Sequence, residues 1–180
     1  MSNDKADLRA AMREAALRRR DSPALSRKIA AQLHNWHRWM DARTIAGFSA
    51  LPGEPDPLDP WPLGKRIALP RVQGTDLTFH PVTHREELVT GDFGILEPPE
   101  TSPCAGRNFD IILVPGLAFD FAGGRLGRGK GFYDRFLADA RGLRVGVCFE
   151  DQIVDHVPEE PHDARMDFVI TSTAIFPCGS

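Results

Sequence analysis

The sequence predicts an α/β fold, a three-layer sandwich around a largely parallel sheet with two N-terminal helices, and three observations carry that prediction. From residue 44 onward, short apolar runs without alternation recur between Gly and Pro boundaries, as expected of strands covered on both faces. The first forty residues lack such runs and space their apolar side chains at helical intervals instead. A chain of 180 residues with 42% apolar content can bury a proper core, so residues 1–180 are expected to form one domain, with 1–40 packed on it.

Taken in order, the first helix runs from Asp7 or earlier to Arg20, with Leu8, Met12, Ala16 and Leu17 as its core stripe and three arginines at its negative end. Ser22 followed by Pro23 starts a second helix that carries Leu25, Ile29, Leu33, Trp36 and Met40 on one face. The strands are TIAGFS (44–49), RIALP (66–70), LTFHPV (77–82), FDIILVPG (109–116), RVGVCF (144–149) and DFVITS (167–172). A last helix, 132–140, presents Phe132, Tyr133, Phe136 and Leu137.

Ligands of such sheets gather beyond the carboxyl ends of the strands, so the loops there are the places to search. The segment RLGRGKGFYDRFL (125–137) stands out. Gly127, Gly129 and Gly131 free the backbone to wrap a ligand with its N–H groups inward, and Arg125, Arg128 and Lys130 would repel one another without an anion between them. The loop leads into the helix at 132, whose N-terminus suits phosphate, and Asp134 in the first turn can hold a phosphate-bound cation. Residues 124–131 approach the Walker A pattern but place Gly131 where a hydroxyl is required, and the loop begins well beyond the preceding strand, so a P-loop is not expected. In the proline-rich loop 51–62, Glu54 is the notable charge with Asp56 and Asp59 as competitors; solubility and ligand contact remain open for these acids. Residues 97–107 read as a surface loop, and Asp120 as the closure of a turn.

Net charge −3 and a pI near 6.1 exclude a general nucleic-acid binder and make the basic loop a local site for a small anion. Cys104, Cys148 and Cys178 form neither a disulfide framework nor a zinc motif. With no apolar leader and no long apolar stretch, a cytoplasmic protein without membrane partner is expected.

PGLAFD (115–120) followed by RLGRGKGFYDRFL resembles the signature of the 5-formyltetrahydrofolate cyclo-ligase family. The likeness extends through Lys5-x-x-Leu8-Arg9, Gly53-Glu54, Leu69-Pro70, GILEP (94–98), Glu150-x-Gln152 and His162-Asp163. The chain departs from it in two places: the interval from Glu54 to Lys65 is shorter than the helical insert expected there, which bears on the folate pocket, and Phe132 replaces a frequent Tyr, losing a hydroxyl but keeping a stacking face.

The resemblance implies ATP-dependent conversion of 5-formyltetrahydrofolate to 5,10-methenyltetrahydrofolate by a monomeric domain acting on small molecules. It implies ATP contacts from Lys5, Arg9, Arg125, Gly127, Arg128, Gly129, Lys130, Gly131, Phe132 and Tyr133, with Arg128 and Lys130 catalytic. Glu54 and Phe132 would contact folate, and Asp134 and Asp163 would hold Mg²⁺, with His162 structural because magnesium prefers oxygen. On the glycine loop alone, a nucleotide- or phosphosugar-binding module without folate chemistry is the alternative.

Overall fold

The structure, a computed structural model, describes residues 4–19, 22–91 and 94–179. The helices are α1 (Asp4–Arg18), α2 (Ser22–Asn35), α3 (His37–Asp41) and α4 (Phe132–Asp139). The strands are β1 (Thr44–Ala46), β2 (Arg66–Gln73), β3 (Asp76–Val82), β4 (Val89–Thr90), β5 (Leu96–Glu97), β6 (Asn108–Pro115), β7 (Ala118–Phe119), β8 (Arg125–Leu126), β9 (Arg141–Val147), β10 (Phe168–Ile170) and β11 (Ile175–Pro177).

The main sheet has the order β11-β10-β9-β6-β1-β2-β3. Its interior pairs are parallel, and an antiparallel strand closes each edge, β3 against β2 and β11 against β10. Both faces are covered. Ile29 and Leu33 of α2 and Trp39 of α3 pack on Ile45, Ile67, Ile111 and Leu113; Phe136 and Leu137 of α4 pack on Ala46, Ala68, Ile112 and Val114. Successive residues of β6 thus enter opposite layers, which is why its sequence is apolar without alternation. Each fully buried side chain of this kind contributes about 1.5–3 kcal/mol by leaving water.

Four local expectations need correction. The second helix does not run to Met40: Trp36 takes an extended conformation between α2 and α3, which rotates the stripe and leaves Met40 61% exposed. In α1, which ends at Arg18 rather than the expected Arg20 (outside the described residues), Leu17 is 87% exposed, because the helix lies across loops instead of on the sheet. β2 continues to Gln73, carried past the end of β1 by its antiparallel pairing with β3. β11 is a further strand, too short for its sequence to announce.

α1 packs Leu8 and Met12 against Leu117, Ala118 and Leu126. These residues follow β6, so the first helix covers the carboxyl end of the sheet.

Candidate active site

The strand order reverses at β1: the chain passes from β1 to β2 on one side and later places β6 on the other. Loops leaving β1 and β6 diverge there, and the crevice between them is where open α/β sheets bind ligands. A cavity of about 410 Å³ occupies that position. Phe48, Ser49, Leu51 and Glu54 line it from the loop after β1, Pro70 and Val72 from β2, and Pro115 and Gly116 from the end of β6.

The basic glycine loop forms another wall. Between β6 and the loop lies the β7–β8 hairpin, which accounts for the interval that separates this arrangement from a P-loop. Asp120 closes the hairpin as expected, accepting hydrogen bonds from the N–H groups of Ala122 and Gly124 at 2.9 and 2.8 Å, and it also accepts one from Val157 at 2.8 Å. Beyond β8, Gly129 and Gly131 adopt left-handed conformations (φ 98° and 68°), and Gly131 is the N-cap of α4. A side chain at either position would strain the backbone by about 1–2 kcal/mol, so the glycines are required by the path of the loop. Gly127, Arg128, Lys130, Gly131, Phe132, Tyr133 and Asp134 all line the cavity.

Each charge has a defined setting. Arg125, with a side chain only 4% exposed, donates to Asp134 Oδ1 at 2.7 Å and to the Pro115 carbonyl at 3.2 Å. Arg128 reaches across the cavity and donates from Nε and Nη2 to Glu54 Oε1 at 3.0 and 2.7 Å. The other Glu54 oxygen accepts from the Leu51 N–H at 3.0 Å, which fixes a carboxylate that is only 7% exposed. Among the described residues, Arg125 Nε and the Tyr133 hydroxyl are buried without hydrogen-bond partners, and both residues line the cavity. Burial pushes the Tyr133 phenol far up, so it remains a neutral donor.

Lys5, Arg9 and Arg13 share one stripe of α1; Arg9 and Arg13 reach the glycine loop, and Lys5 reaches the segment 160–163 instead. Arg9 Nε donates to the Gly127 carbonyl at 3.0 Å, and Arg13 Nη2 to the Arg128 carbonyl at 3.5 Å. Lys5 Nζ pairs with Asp163 at 2.6 Å and Glu160 at 2.9 Å. Asp163 does not line the cavity, but the Ala164 N–H lies 3.4 Å from Asp134 Oδ1, which brings the two metal candidates into one neighbourhood. His162 is exposed, with Nε2 3.5 Å from Glu160, and belongs with Glu160 and Asp163 to the group of potential metal ligands among the described residues.

The Lys5–Asp163 pair predicts a pH window. Burial pushes the Asp163 carboxyl up, but the hydrogen bonds from Lys5 and the Glu160 N–H outweigh it and hold the group below its ordinary 3.8. Burial likewise lowers Lys5, and its carboxylate partners outweigh that and hold it above 10.5. The stability from Asp163 is therefore present above pH 3.8 and lost as pH falls through its lower folded value; that from Lys5 is present below pH 10.5 and lost as pH rises through its higher one. The Tm gap between the wild type and Asp163→Asn is expected to be widest between these limits and to close outside them, which thermal melts across pH will measure.

Two charged cavity residues escape the sequence reading. Glu97, expected in a surface loop, is only 3% exposed and lines the cavity from β5, because the β4–β5 hairpin folds over the end of β2. Arg13 also lines it; its spacing of four residues from Arg9 was the available signal. The competitors of Glu54 are accounted for in part: Asp56 pairs with Arg85 at 2.6 Å. Between Glu54 and Lys65 the chain makes turns around buried Leu58, with no helix.

A sequence model described as the 5-formyltetrahydrofolate cyclo-ligase family matches residues 1–172. The 5-formyltetrahydrofolate cyclo-ligase of Mycolicibacterium smegmatis is 42% identical over 118 residues, covering 61% of this chain and 61% of that protein, so the chain spans less than two thirds of this relative. The Escherichia coli K12 protein of the same name is 30% identical over 181 residues, covering 91% of this chain and 97% of that one. The solved structure of Aquifex aeolicus 5,10-methenyltetrahydrofolate synthetase superposes with a TM-score of 0.86 at 31% identity, covering 98% of this chain and 93% of that one. With the match extending from the first helix through the glycine loop to the last parallel strand, the chain belongs to the 5-formyltetrahydrofolate cyclo-ligase family.

Proposed function

We propose that this protein closes 5-formyltetrahydrofolate to 5,10-methenyltetrahydrofolate, consuming ATP and releasing ADP and phosphate. The observation that carries this reading is that one cavity joins a glycine loop rich in cations to an apolar slot between Phe48, Pro70, Val72, Leu77 and Phe132, suited to a planar ring.

The formyl oxygen is a poor leaving group. It attacks the γ-phosphorus of ATP, the bond to ADP breaks, and the formyl carbon becomes an iminium-like phosphate ester. N10 then attacks that carbon, loses its proton, and phosphate departs with the C–O electron pair. These steps need positioning and charge neutralisation more than a protein nucleophile.

In this reading Arg128 and Lys130 offset charge on the transferring phosphoryl group, while Arg125 and the backbone of 127–133, with Lys5 and Arg9 from α1, hold the nucleotide. Glu54 and Phe132 contact folate. Arg128 has two anions to serve, so arriving phosphate competes with Glu54 for the guanidinium and releases that carboxylate toward the N–H donors of the substrate. Asp134 and Asp163 offer the hard oxygen donors that Mg²⁺ takes, and the unpartnered Arg125 Nε beside Asp134 fits an anion at the same place. When bound, the metal would neutralise phosphate charge. The three unpaired thiols support a cytoplasmic location. The remainder of the reading is a single domain, 1–180, acting as a monomer on small molecules without nucleic-acid or membrane partners; no helix among the described residues is long and apolar enough to cross a membrane.

The test is ADP release with Mg²⁺, ATP and 5-formyltetrahydrofolate together and with each omitted. Release is expected only from the complete mixture. ADP appearing equally without folate would show ATP hydrolysis uncoupled from folate and overturn the reading.

A further inference from the structure

Glu97 has no part in the mechanism above, yet it is one of the few buried charged residues among the described residues and lies on the cavity wall. Its carboxylate accepts a hydrogen bond from the Val72 N–H at 3.3 Å, and the neighbouring Pro98 carbonyl accepts one from Arg71 Nη1 at 2.9 Å. Both contacts fasten β5 to the end of β2. The surrounding wall is apolar, with Pro70, Val72, Leu77 and Ile95 lining the same cavity.

Register places this carboxylate relative to the phosphate loop. Ala46 of β1 aligns with Ala68 of β2 and with Ile112 of β6. Val72 therefore lies four residues beyond that level on one neighbour of β1, and Pro115, which Arg125 touches, lies three beyond it on the other. The two points stand at similar heights above the sheet and two strand spacings apart, about 10 Å. A ligand that bridges them must offer N–H donors at one end and a phosphoryl acceptor at the other.

We infer that Glu97 recognises the amino-pyrimidinone edge of the pterin, accepting hydrogen bonds from its exocyclic amino group and ring N–H, and so directs the formyl group toward Arg128 and Lys130. This rests on the folate reading proposed above and gives it an orientation. A carboxylate only accepts, and this edge offers two adjacent donors, so the pair is complementary. Glu54, tied to the loop by Arg128, then faces the reacting end of the substrate instead of the far end of the ring.

Glu97→Gln separates recognition from architecture, because the amide oxygen can still accept from the Val72 N–H while the amide NH₂ opposes a donor of the pterin. The Tm of this variant and steady-state ADP release by both proteins are measured with 5-formyltetrahydrofolate and with an analogue carrying methyl in place of the 2-amino group. For the wild type we expect the analogue to lose at least about a hundredfold in kcat/KM. For Glu97→Gln we expect the folate KM to rise about tenfold or more, the ATP KM to stay within about twofold, and discrimination against the analogue to fall below about tenfold. Equal discrimination by the two proteins overturns the proposal, as does an unchanged folate KM. Should Glu97→Gln not fold, the wild type alone decides: failure to discriminate against the analogue overturns it. Absence of any folate-dependent ADP release from the wild type is a different failure, which removes the underlying reading.

Discussion

Lys130→Ala is expected to lower kcat for folate-dependent ADP release by about 10²–10³-fold, the loss that follows removal of one preorganised group from a developing anion. Lys130 lines the cavity between the left-handed Gly129 and Gly131, on a backbone path those glycines set. From there its ammonium would neutralise charge that moves onto the transferring phosphoryl oxygens. A kcat effect with a folate KM changed only a few-fold is the signature of an interaction made in the transition state. Full ATP-dependent turnover by the purified variant would contradict the assignment.

Arg125→Met is expected to cost about 3–5 kcal/mol of stability, because it leaves Asp134 charged, largely buried and without its guanidinium. For a chain of this length that corresponds to a fall in Tm of roughly 10 °C. Asp134→Asn added to Arg125→Met should recover a substantial part of the loss, since the stranded charge is then gone. Urea denaturation of the two variants and the wild type measures both quantities. A loss below about 1 kcal/mol for the single variant would mean that the pair is solvated and does not organise the loop.

The layers and the glycine-loop wall of the cavity were legible in the sequence for a common reason: both depend on local composition. Burial on two faces writes itself into β6 as an unbroken apolar run, and a loop that turns through left-handed conformations at Gly129 and Gly131 must spell glycine there. What escaped depends on partners distant in the chain. The antiparallel edge strand β11 is three residues long and exists because β10 offers it a free edge. Glu97 sits among prolines and small polar residues that resemble a surface loop, and only the folding of the β4–β5 hairpin onto β2 buries it. The extended residue Trp36 interrupts a helical stripe that continues without a blemish in sequence, and Met40 falls outside the core as a result. At the site, residue identity named Arg128 and Glu54 separately, but their contact across the cavity needs the loops after β1 and β6 side by side.

The central claim, that the backbone of 127–133 encloses the terminal phosphates of a nucleotide beside the folate slot, is tested most directly by a crystal structure with Mg²⁺, a non-hydrolysable ATP analogue and 5-formyltetrahydrofolate. The account predicts the γ-phosphate against the N–H groups of this loop, within reach of Arg128 and Lys130, with the folate ring between Phe132 and the apolar wall of β2. Phosphates bound away from the loop, with residues 127–131 facing solvent, would contradict it.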